Sequence, residues 1–146
     1  MILPTPEATH AFGRQLADLI QAGDVIALSG DLGAGKTSLA RGLLAGLGLA
    51  EEAPSPSFSL VIPYDPPLVR VPVWHVDLYR LEDADEAEEL GLDDALYDSA
   101  LLIEWPERLG NRLWPHALKL RIDPEGKGRR LTADVPPSWG ARWLWT

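Results

Sequence analysis

The chain has 146 residues, 46% of them apolar, with 22 acidic against 13 basic side chains and no cysteine. That is enough apolar material for one domain with a buried core over residues 1–146, and it excludes collagen-like, disulfide-stapled and wholly disordered chains. The missing cysteine also removes thiolate–metal and thiol-nucleophile chemistry. The net charge of −9 is unevenly spread, because residues 1–106 carry 5 basic and 18 acidic groups while residues 107–146 carry 8 and 4. An acidic front repels a polyphosphate backbone, so any link to nucleic acid is expected to run through partner proteins. The N-terminus lacks the pattern of a secretory signal, and no run reaches the roughly 18 apolar residues of a membrane span, so a cytoplasmic protein without membrane contact is expected.

Residues 6–22 read as an amphipathic helix. Thr5 is placed to cap it, Pro6 suits its first turn, and Phe12, Leu16, Leu19 and Ile20 recur at helical spacing until Gly23. The apolar run DVIALS (24–29) predicts a buried central strand, and residues 36–48 predict a second helix carrying Leu39, Leu43, Leu44 and Leu47. Further strands are expected at 58–62, at 71–77 with Pro72 at its start or on an edge, and at 101–104. Eight carboxylates crowd residues 82–94 and read as a solvated helix face, with docking of a basic partner as the alternative. Period-two apolar residues at 118–122 and 131–135 around DPEGKG predict a hairpin.

The chemistry is carried by GDLGAGKT (30–37), which satisfies G-x-x-x-x-G-K-[ST] between a strand and a helix. Glycines let such a loop turn its N–H groups toward phosphate oxygens, and the helix adds its positive end. Lys36 supplies a charge for the β and γ phosphates, and Thr37 supplies a hydroxyl of the hard-oxygen kind that Mg²⁺ takes. Asp77 ends its strand where a carboxylate supporting Mg²⁺ belongs, and Glu104 ends LLIE where it can ligate the metal or orient an attacking water. His75 shares the side of the strand with Asp77, and a lone histidine there reads as structural. These features predict an α/β fold of the P-loop NTPase type, a three-layer sandwich with a central mixed sheet and a C-terminal hairpin. A small-molecule kinase shares the loop and the size range and is the second reading.

Five segments in order, GDLGAGKTSLARGLL (30–44), SPSFSLV (55–61), HVDLYRL (75–81), EELGLDD (88–94) and IEWPERL (103–109), resemble the bacterial TsaE family, formerly YjeE. The resemblance implies a P-loop ATPase required for threonylcarbamoyladenosine formation in tRNAs that read ANN codons, working with the subunits TsaD and TsaB. It implies that Gly33, Ala34, Gly35, Lys36, Thr37 and Ser38 wrap the phosphates of ATP, and that Thr37 and Glu104 bind Mg²⁺. Asp77 would act one layer behind the direct metal ligands or in hydrolysis, and Trp105 would buttress Glu104. Ser57 and Ser59 stand where the family's switch segment has threonines. Arg129, opening a C-terminal strand, would contact nucleotide, with Arg130 as the other candidate, and Pro6 would lie near the adenine. Trp139, Trp143 and Trp145 fall in the tail and read as the cap of a small core.

Overall fold

A computed structural model describes residues 1–31, 35–50, 53–54, 56 and 60–145. Its framework is a seven-stranded mixed sheet of strands β1 (Ile2–Leu3), β2 (Val25–Ser29), β3 (Val61–Tyr64), β4 (Val73–Asp77), β5 (Ala100–Glu104), β6 (Leu118–Glu125) and β7 (Gly128–Asp134). The order is β1-β7-β6-β2-β5-β4-β3. The four inner strands β6, β2, β5 and β4 run parallel, and β3, β7 and β1 are antiparallel to their neighbours. Strands β2 and β5 are buried along nearly their whole length, which is why both read as continuous apolar runs rather than alternating ones.

Helices α1 (Pro6–Ala17) and α2 (Lys36–Gly46) cover one face, packing Phe12, Leu16, Leu39 and Leu43 onto Ile26, Leu28, Leu102 and Leu120. They cross closely because Gly42 faces the backbone of His10, where a Cβ would collide with the His10 carbonyl. The tail closes this layer, with Trp139 wholly buried and Trp143 and Trp145 stacked about Phe12 at centroid distances of 6.5 and 4.9 Å. The opposite face is covered by less regular pieces: 3-10 turns at Ala84–Leu90 and Pro106–Arg112 and a four-residue helix α3 (Leu92–Ala95). Ala87, Leu92 and Leu109 seat them on Val76, Leu101 and Ile103.

Three expectations change. Helix α1 begins as read, with the Thr5 hydroxyl accepting from Ala8 N–H at 3.0 Å, but it ends at Ala17 rather than 22. Beyond that point Asp18, Leu19 and Ile20 donate to carbonyls three residues back, so the chain passes into a tighter turn while Ile20 still reaches the core. The acidic segment 82–94 is not a regular helix. Glu82 and Glu86, Asp85 and Glu89, and Glu89 and Asp93 would stack like charges four residues apart, and Gly91 at φ +73° breaks the segment in two. The strand expected at 58–62 is also displaced: β3 runs from Val61 to Tyr64, Leu60 before it takes positive φ, and Phe58 and Ser59 lie outside the described residues.

Candidate nucleotide site

Parallel pairing sets the site's geometry before any side chain is considered. Asp77 of β4 is level with Glu104 of β5, and Glu104 is level with Leu28 of β2, two residues before Gly30. Three strand ends therefore finish together at the carboxyl edge of the sheet, where α/β folds bind ligands. His75, Asp77 and Glu104 lie on the face covered by α1 and α2, since they alternate with Val76 and Ile103 of the other face. All three are buried, at 2%, 6% and 5% exposure.

Lys36 opens α2 and is 5% exposed, with Nζ donating to the Gly30 carbonyl at 2.5 Å and lying 3.6 Å from the centre of the Trp105 ring. Burial pushes its amine below the usual lysine range, against the opposing pull of Glu104, Glu107, Asp77 and Asp31. Gly35 precedes it at φ +111°, a conformation that side chains with a Cβ rarely adopt. Among the described residues, two other than glycine also take positive φ, Leu60 and Trp105, and both border the strand ends. Leu60 accepts from Asp77 N–H at 2.9 Å, and Trp105 N–H donates to Leu28 at 3.3 Å. The left-handed turn at Trp105 directs its indole under Lys36 and against Tyr79, whose ring centre is 4.9 Å away. Strain of this kind gathers at functional sites.

Asp77 accepts the Tyr79 N–H at 2.9 Å, and Glu104 Oε2 lies 2.7 Å from His75 Nε2. Thr37 is exposed on the first turn of α2, and Ser38 is half-buried beside it. A cavity of about 240 Å³ next to them is lined by Pro6, Thr9, Gly35, Ser38, Gly128 and Arg129. The chain thus gathers Pro6, Gly35, Ser38 and Arg129 around one recess and Lys36, Asp77 and Glu104 at the adjoining strand ends. Arg130 turns away and pairs with Glu125 at 3.1 Å. Gly33, Ala34, Ser57 and Ser59 lie outside the described residues.

The donors suit Mg²⁺ chemically: a hydroxyl and two buried carboxylates are hard oxygen ligands, and they surround a buried ammonium. Among the described residues no group of three or more acidic or histidine side chains forms a cage of its own. A site of this sort leaves positions for phosphate oxygens and water, as Mg²⁺ sites on nucleotides do.

A mixed α/β sheet with a parallel centre, whose strand β2 leads through the glycine-rich sequence to α2, belongs to the P-loop class. Comparison with known proteins narrows this. The family model "Threonylcarbamoyl adenosine biosynthesis protein TsaE" matches residues 3–132. The tRNA threonylcarbamoyladenosine biosynthesis protein TsaE of Streptomyces coelicolor is 47% identical over 117 residues, 76% of each chain. That of Bacillus subtilis is 36% identical over 126 residues, 86% of this chain and 77% of the relative. The crystal structure of Bacillus subtilis YdiB superposes with a TM-score of 0.81 at 28% identity, covering 97% of this chain and 88% of that one. The chain belongs to the TsaE family.

The sequence reading missed the direct contact between His75 and Glu104 and the lining roles of Thr9 and Gly128. The signal for the first was present as HVD, which puts His75 and Asp77 on one face, but only the register of β4 against β5 turns the histidine toward Glu104.

Proposed function

We propose that this chain binds and hydrolyses ATP with Mg²⁺ as an accessory subunit in forming N6-threonylcarbamoyladenosine in tRNAs that read ANN codons. In this reading it is one domain working in the cytoplasm with the TsaB–TsaD complex, and it meets tRNA only through those partners. The observation that carries the reading is the convergence of Lys36, Asp77 and Glu104, all buried, at level strand ends beside the recess that holds Arg129. Family membership supports the pathway, and the acidic front supports indirect tRNA contact.

Gly33, Ala34, Gly35 and Ser38 present the loop backbone and first helical turn to the phosphates, and Lys36 exchanges its contact with the Gly30 carbonyl for phosphate oxygens. Thr37 and Glu104 hold Mg²⁺, which when bound neutralises charge on the phosphate oxygens. Asp77 acts at the same strand level in hydrolysis, and Pro6 and Arg129 border the nucleoside side of the recess. The test is phosphate release from ATP by the purified chain with and without TsaB and TsaD. Slow turnover alone, faster turnover with partners and loss of both in Lys36→Ala are expected. Equal turnover by Lys36→Ala and wild type overturns the reading.

A further inference from the structure

The His75–Glu104 contact joins two side chains that β4 and β5 bury to 2% and 5% exposure. A glutamate that binds a metal must be ionised, and an ionised carboxylate only accepts hydrogen bonds, so Nε2 of His75 carries the proton. The bond is to one oxygen only, Oε2, at 2.7 Å. It prevents the side chain from rotating freely about its last torsion and leaves Oε1 as the oxygen not committed to the imidazole. The His75 backbone is fixed as well, paired with Leu102 inside the sheet. The other ring nitrogen, Nδ1, is buried without a hydrogen-bond partner among the described residues, so the ring is oriented by Glu104 and the sheet.

We infer that His75 is a positioning residue: through Nε2–H it holds Oε2 of Glu104 and thereby presents Oε1 for Mg²⁺ in the nucleotide complex. The inference rests on Glu104 being a metal ligand, as proposed above. Residues that hold a metal ligand through a hydrogen bond typically contribute 10- to 100-fold to metal affinity. The readout is therefore binding: the factor by which Mg²⁺ tightens a non-hydrolysable ATP analogue, measured by titration calorimetry with and without the metal.

His75→Phe is expected to reduce that factor at least about tenfold while leaving metal-free binding of the analogue unchanged. His75→Gln, whose amide N–H can stand near the place of Nε2–H, is expected to retain most of it. His75→Asn, whose amide falls near Nδ1 instead, is expected to lose it, and this pair decides the matter if His75→Phe does not fold. In metal-free wild-type protein, long-range ¹H–¹⁵N spectra should show His75 protonated at Nε2. Glu104→Gln separates the two claims. If it abolishes the Mg²⁺ effect and His75→Phe and His75→Asn leave it intact, the positioning role is wrong and the ligand assignment stands. If Glu104→Gln itself leaves the Mg²⁺ effect intact, the reading of the site fails.

Discussion

Two regions of this molecule are rich in carboxylates, and they behave in opposite ways. At the adjoining ends of β4 and β5 stand Asp77 and Glu104, both buried and held, one by a backbone N–H and the other by His75. On the flank at residues 82–94 there are eight, and most face solvent. There Asp85 and Glu88 pair with Arg112, with their own side chains 68% and 75% exposed, and Asp93 accepts from the Trp114 indole at 2.7 Å. The flank also has a cavity of about 540 Å³, larger than the recess beside Lys36. Neither the number of charges nor the size of a hollow singles out the proposed nucleotide site. What distinguishes the strand ends is that folding removes charged groups from water there, which is costly unless each is held by a partner or a ligand.

The largest effect expected from this contrast is on turnover. Glu104→Gln should lower ATP hydrolysis about 100-fold, the scale on which preorganised electrostatic groups act. Glu88→Gln should leave it unchanged, and the comparison breaks if the two variants slow the phosphate-release assay equally.

A smaller effect concerns Asp24, a carboxylate that is buried but purely structural. It accepts from both terminal nitrogens of Arg142, at 2.7 and 3.0 Å, and from Gln21 N–H at 2.8 Å. With the two side chains 10% and 19% exposed, Arg142→Ala should destabilise the fold by about 1–3 kcal/mol in urea unfolding, because a largely buried carboxylate is left without its hydrogen-bond donors. ATP hydrolysis at saturating nucleotide should not change. A loss of activity without a loss of stability would blur the line between buried structural and buried functional carboxylates.

Smaller again is a pH effect from Lys36. Its folded-state pKa lies below that of the unfolded chain, so between the two values the unfolded state binds more protons and stability rises with pH. Relative to Lys36→Met, nucleotide-free wild type should therefore gain stability as pH rises through the folded pKa toward 10.5, the unfolded value. A relative loss over that window would contradict the burial argument. The least effect is expected on the flank: Arg112→Ala should leave the urea midpoint within error, because ion pairs as exposed as these contribute little.

Much of this arrangement was legible in the sequence because its signals are local. Strands β2 and β5 announce themselves as short apolar runs, the hairpin by period two on both sides of its turn, and the start of α1 by Thr5 and Pro6. Gly-x-x-x-x-Gly-Lys-Thr and the carboxylates closing VWHVD and LLIE marked candidate residues that the fold brings close together, for the same reason. What could not be read depends on pairs distant in sequence. The end of α1 lies near a turn tied by Asp24 to Arg142, 118 residues away. His75 looked structural because nothing in HVD says that β4 lies beside β5 in the register that brings it to Glu104, 29 residues on. The acidic segment, read from its run of carboxylates as one solvated helix face, is instead broken up by like-charge repulsion and Gly91.

The most direct test of the account is multiple-turnover formation of threonylcarbamoyladenosine on an ANN-decoding tRNA by purified TsaB and TsaD, supplied with this chain or its Lys36→Ala variant. Sustained cycles with wild type and a stall with the variant are expected. Equal product over many cycles with both proteins would contradict the claim that the buried lysine and carboxylates at the strand ends are the working part of the molecule.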